Sequence, residues 1–204
     1  MNAVRSALAQ GRWELRTIMR NGEQLLVSFG LPALALVALH RGVFALPEPA
    51  DALGLAGVLA MAVLSSSFTS QAIALGFDRR WGVLRMLSTT PLGPGGLVRG
   101  KAIAVAGLLV AQAVFLGLLA AALGWRGTSP AGYAFLALFL ALGSSTFVSL
   151  AVVLGGTLRA EAVIALANLL WVVMLAAGAL LPLDAGSLLR VLPPGALGEG
   201  LRAA

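Results

Sequence analysis

Five long stretches of this chain carry no charge, and that spacing constrains the fold more than any other feature. Residues 24–40, 52–77, 102–125, 127–158 and 162–183 contain no Asp, Glu, Lys or Arg. A helix needs about 20 residues, at about 1.5 Å each, to cross a hydrocarbon core of about 30 Å. Four runs meet that length, and the first reaches it by extending to about residue 46 with Arg41 turned outward. Pro32 is positioned to bend this first helix. None of the runs alternates like a barrel strand, and lipid offers no water to an unpaired backbone, so the spans are helices. The expected fold class is therefore an all-α polytopic membrane protein of one domain, 1–204. Its spans fall at 24–46, 52–76, 102–125, 131–157 and 162–183, with an interfacial helix at 1–22, an inner loop at 77–101 and an outer re-entrant or interfacial segment at 184–204.

The charges support this reading. Only 11% of the residues are charged against 59% hydrophobic, where a soluble domain carries about a quarter charged residues. The net charge of +6 comes from 14 basic and 8 acidic residues, and the basic ones sit between the apolar runs. No basic surface interleaved with aromatics or nucleic-acid motif occurs, so no nucleic-acid partner is expected. Ten basic residues fall on the side of the amino terminus and the 77–101 loop, against Arg41, Arg126, Arg190 and Arg202 on the other. By the positive-inside rule, the amino terminus lies in the cytoplasm. The excess of Arg over Lys, with abundant Ala, Leu and Gly, fits a GC-rich bacterial genome. No cleavable signal peptide is apparent, because the first twenty residues carry four arginines and no apolar core.

Candidate chemistry is sparse. "GGLVRGKA", 95–102, matches a phosphate-binding loop except that Ala102 stands in place of the metal-binding hydroxyl. A working loop of that kind follows a strand and opens a soluble helix, whereas this stretch leads into an apolar run, so Lys101 is expected to anchor at the headgroups. No ATPase site, cofactor or catalytic residue is expected. The chain has no cysteine and a single histidine, His40, without further ligands nearby, so no metal site is expected either. Glu48 and Asp51 lie in a short proline-rich turn that implies no pocket.

The loop 77–101 is the most informative segment. "DRRWGVLRMLSTTPL" starts as a short helix, and a proline stops it. From physics alone, it is either a surface for a soluble partner or a positive-inside anchor at the headgroups. Asp78, Gly82, Leu84, Leu87, Thr90, Pro91, Leu92 and Lys101, ahead of the third span, resemble the loop between the second and third spans of type 2 ABC exporter permeases. One departure is Arg85, where that family often carries an acid. The resemblance implies a coupling helix that docks on an ABC ATPase subunit, built here from Asp78, Arg79, Arg80, Trp81, Gly82, Leu84, Arg85, Leu87 and Pro91. Trp81, Leu84, Arg85 and Leu87 are its expected docking face. It also implies a second permease copy or paralogue, a hydrophobic or amphiphilic substrate such as a drug, lipid or glycolipid, and a bacterial cytoplasmic membrane. The heme-export permeases are a close alternative, and a non-transporting membrane assembly factor is another. Members of the family usually return to the cytoplasm through a sixth span, which is expected to be missing here.

On a helical wheel Arg5, Arg12, Arg16 and Arg20 share one stripe, beside Val4, Leu8, Leu15 and Ile18. This predicts an interfacial helix with guanidinium groups at phosphates and its apolar side in the acyl boundary. Inside the spans, Ser65–Ser67, Thr69, Ser70, Ser144–Thr146 and Ser149 suit helix packing. Gln71, Gln112 and Asn168 are candidates for a translocation path. No Asp, Glu, Lys or Arg lies inside an uncharged run, whereas an ion-coupled carrier places an ionisable group near the midplane, so the energy is expected from an ATPase.

Overall fold

A computed structural model describes residues 3–43, 50–90, 92–125, 127–180, 183 and 187–204, and among these there is no strand. Pro91, Arg126 and Glu48 lie outside the described residues, as does the side chain of Asp51. Among the described residues eight α-helical segments follow one another: α1 (Ala3–Arg20), α2 (Gly22–His40), α3 (50–80), α4 (Val83–Ser88), α5 (Gly93–Ala122), α6 (Pro130–Thr157), α7 (Ala160–Ala179) and α8 (Pro193–Arg202). Five of them, α2, α3, α5, α6 and α7, contain apolar stretches long enough to cross a membrane. The chain is an all-α polytopic membrane protein.

Local chemistry sets the helix ends. Asn21 opens α2 by accepting the Gln24 amide on its side-chain oxygen. Ser129 caps α6 through the Gly132 amide, with Pro130 in the first turn, where its missing N–H costs nothing. The uncharged Ala- and Leu-rich runs between such signals have no reason to break. The helix of the third span, α5, begins at Gly93 rather than Ala102, so the inner loop is shorter than its sequence suggests.

The hub is α3. Every residue from 54 to 64 is buried, and two-thirds of its most apolar window lies inside the bundle. Its amino-terminal half packs on α2 and α8, and its carboxyl-terminal half on α6 and α7. Gly57 permits one of these approaches, because a Cβ there would lie 2.3 Å from the Leu180 carbonyl oxygen. Three helices loosen into a π-turn, at Leu26–Gly30, Leu64–Thr69 and Leu175–Ala179. The last ends in a kink at Ala177 and Gly178, where Gly178 takes φ +99°.

Residues 193–202 form a helix folded into the bundle against α3, α6 and the end of α7. Arg202 donates to the Gly178 carbonyl at 2.7 Å and pairs with Glu199 at 3.0 Å, while Arg190 pairs with the other Glu199 oxygen. Burial pushes the Glu199 carboxyl up, but the hydrogen bonds from Arg190 and Arg202 outweigh it and hold the group below its ordinary value.

Candidate functional site

The charged residues at one end of the bundle are held by contacts between helices distant in sequence. Asp78 lies in the last turn of α3, and its Oδ2 is 3.4 Å from Lys101 Nζ on α5. Lys101 is also 3.6 Å from Glu14 Oε1 on α1, and that oxygen accepts from Gln10 Nε2 at 2.9 Å. Lys101 is only 4% exposed. It is therefore not a headgroup anchor, as its position at the mouth of a span suggested. Two carboxylates from other helices neutralise the ammonium, which makes its burial affordable.

The same cluster explains α1. Arg5, Arg12, Arg16 and Arg20 are all exposed along one stripe. The opposite face does not lie in lipid as expected: Ala7, Gly11 and Ile18 are buried, and Leu15 is half-buried against α5. Gly11 and Gly100 set the distance, since a Cβ on Gly11 would meet Ile103 at 2.7 Å and one on Gly100 would meet Gln10 at 2.6 Å. Of the predicted apolar stripe, Leu8 remains exposed, with Trp13 and Met19 beside the arginines. The side chain of Val4 lies outside the described residues.

Beyond Asp78, Arg79 donates to the Gly156 carbonyl at the end of α6 and Arg80 pairs with Glu161 on α7. These two bonds tie the end of α3 to the α6–α7 turn. The chain then reverses at Trp81 and Gly82. Gly82 has φ +76°, in the left-handed region that side chains disfavour. Thr89 and Thr90 close α4 by donating their hydroxyls to the Met86 and Leu87 carbonyls.

This geometry corrects the expected docking face. Leu84 and Leu87 point inward and line a cavity of about 240 Å³ with Leu75, Leu97, Val152 and Lys101. The outward surface consists of Trp81, 71% exposed, Arg85, and Met86, 64% exposed. Trp81 is steadied by the Phe77 ring at a centroid distance of 5.1 Å. Leu84 and Leu87, three residues apart, share the inward side, and Met86 falls on the outward side of this six-residue helix.

Within the spans the three candidate path residues do not converge. Gln112 is 1% exposed; its Oε1 accepts from Ser66 Oγ at 3.1 Å and its Nε2 donates to the Ser28 carbonyl at 2.7 Å. It bridges the π-turns of α2 and α3. Gln71 is buried on α3 and its Oε1 has no partner. Asn168 is exposed on α7 and donates to the Ile164 carbonyl of its own helix at 2.8 Å. A different place gathers polar groups in an apolar wall. A groove of about 420 Å³ between α2, α3 and α7 is lined by Ser28, Ser65, Ser70 and Trp171 among aliphatic side chains, and Trp171 Nε1 donates to Ser65 Oγ at 3.2 Å.

Residues 95–102 are helical, so from Leu97 onward their N–H groups face carbonyls of their own helix rather than a phosphate. Among the described residues no three His, Cys, Asp or Glu side chains gather as metal ligands.

The chain matches the ABC-2 type transporter family over residues 7–192. The chain belongs to that family. No curated protein and no solved structure matches it. It is thus a multi-pass membrane permease of an ABC transporter, and an ABC ATPase is its working partner. In this permease the Lys101 cluster and the Arg79 and Arg80 bonds fix the end of α3, from which α4 follows, to α5, α6 and α7.

Proposed function

We propose that the permease drives export of a hydrophobic or amphiphilic substrate from the cytoplasm, powered by an ATPase subunit bound in trans at the surface of Trp81, Arg85 and Met86. The chain itself carries no nucleotide site. It works as a dimer with a second copy or a paralogue, in a bacterial cytoplasmic membrane, with its amino terminus in the cytoplasm. The observation that carries this reading is the mounting of α4. This helix joins, through a two-residue turn that exposes Trp81, the end of α3, and that end is itself braced by ion pairs from Arg80 to α7 and from Asp78 to Lys101 on α5, which also pairs with Glu14 on α1. A push on Trp81 therefore reaches the spans without being lost in a slack loop. The groove beside Ser28, Ser65, Ser70 and Trp171 supplies an apolar wall with a few hydroxyls and an indole, which suits an amphiphile.

The test is to co-express the permease with its ATPase and compare Trp81→Ala with Met86→Asp. Both variants should fold and insert normally, yet lose ATPase co-purification and substrate efflux. Full ATPase recovery with both changes combined sinks the docking assignment. The orientation is tested separately: Arg85→Cys introduces the chain's sole thiol, and it should resist an impermeant maleimide in intact cells.

A further inference from the structure

In the half of the bundle away from Lys101, a cavity runs between α5 and α6 along the membrane-facing surface. It consists of two stretches, about 240 and 470 Å³, which share Ala113, Val114 and Leu136 and so join end to end. The wider stretch reaches Trp125 and Tyr133, and the narrower one reaches Ala106 and Ser144. Ser144 Oγ is bonded to the Ala141 carbonyl at 3.0 Å, so that end makes no polar demand. The floor at Gly117 is open, since a Cβ there would meet nothing within 4 Å.

The dimensions point to an occupant. The lining runs eleven residues along α6 from Tyr133 to Ser144, about 16 Å, and fifteen along α5 from Ala106 to Ala121, about 22 Å, at about 1.5 Å per residue. One leaflet of a hydrocarbon core about 30 Å thick is about 15 Å deep. Ser144 stands at the middle of the Pro130–Thr157 span, so the cavity stops where the leaflet stops. Its mouth carries a Trp and a Tyr, the residues that collect at the headgroup level. At this depth there is no water to fill the space, and an empty slot forfeits its dispersion contacts. Leu169, Val172 and Val173 project from the exposed face of α7 and line neither stretch.

We propose that this cavity is a binding site for one acyl chain of a phospholipid, drawn from the leaflet on the side of the 123–129 connection, with its headgroup at the level of Trp125 and Tyr133. The bound chain completes the packing of α5 against α6. The site depends only on the chain spanning a membrane, so it stands or falls independently of the docking surface and of transport.

The experiment reconstitutes the full-length permease in vesicles of phosphatidylethanolamine and phosphatidylglycerol doped with a phospholipid bearing a diazirine on its acyl chain. After irradiation, adducts are mapped by peptide mass spectrometry. Adducts should concentrate on Val110, Val114 and Leu136 over the exposed face of α7. Gly117→Phe, which fills the slot, should lower them severalfold, while Val153→Phe on the outer surface of α6 leaves them unchanged. If Gly117→Phe fails to insert, Gly117→Leu serves the same purpose. Labelling no denser than on α7, or unaffected by filling the slot, overturns the site. So does an interchain disulfide through Val114→Cys in the same vesicles, because it seats a second copy in the cavity instead of a lipid.

Discussion

Lys101 and Asp78 face each other across the α3–α5 interface at 3.4 Å, with only 5% of the lysine side chain exposed. Glu14 closes the cluster from the other side. Removing the cation leaves two carboxylates crowded together in a poorly solvated place, and breaking a buried pair costs about 3–5 kcal/mol. Because Asp78 is partly exposed, Lys101→Met should fall at the lower end, near about 3 kcal/mol, read as a drop in melting temperature in detergent. Asp78→Asn alone should cost less. The double variant Asp78→Asn, Lys101→Met should be more stable than the sum of its parts, and strict additivity would disprove the coupling.

The inward turn of Leu84 separates structure from docking. Leu84→Asp places a carboxylate in an apolar cavity and should destabilise the permease by about 2–4 kcal/mol. Trp81→Ala removes an exposed ring and should change stability little. Urea or thermal unfolding of the two variants distinguishes them; equal losses would mean that α4 is oriented differently.

Gly82 takes a left-handed backbone with no neighbour near its Cα. A side chain there costs through backbone conformation alone, so Gly82→Ala should lose about 1–2 kcal/mol. Gly82→Asn, whose short amide tolerates that region, should recover part of the loss.

Gln112 holds Ser66 and the Ser28 carbonyl. Interhelical hydrogen bonds in membranes contribute about 0.6 kcal/mol on average and reach about 1.7, so Gln112→Leu should cost about 1–2 kcal/mol. If Gln112 is a packing residue, this variant exports normally once its expression is matched. A change in substrate range at unchanged stability would return it to the path.

Glu199 supplies a pH dependence. Its folded carboxyl lies below the ordinary value of 4.5 because hydrogen bonds from Arg190 and Arg202 outweigh the effect of burial. The stabilisation is therefore fully present above 4.5 and is lost as the pH falls through the lower folded value. Between pH 6 and pH 3 the wild type should lose more melting temperature than Glu199→Gln, and parallel curves would contradict this.

Much of the architecture was legible because lipid is a demanding solvent. Each span announces itself as a long uncharged run. The Asp–Arg–Arg–Trp–Gly stretch marked the region of α4 by its departure from that pattern. What stayed hidden was direction. Six residues of α4 hold Leu84, Arg85, Met86 and Leu87 within about two turns, and no periodicity over so short a window says which side meets the bundle. Nor could the isolated polar residues be sorted: Gln112 and Asn168 both stand alone in apolar runs, yet one bridges two helices and the other faces outward.

Sequence by itself determined that the chain must live in a membrane as helices, because uncharged runs of that length satisfy their backbone only within themselves. The tertiary structure alone decided that Lys101 is a buried tie rather than an anchor, that α1 turns Ile18 inward, and that Trp81 and Met86 face outward. A residue's role in those cases depends on carboxylates and glycines dozens of positions away. Only packing brings Glu14, Asp78 and Lys101 to one point.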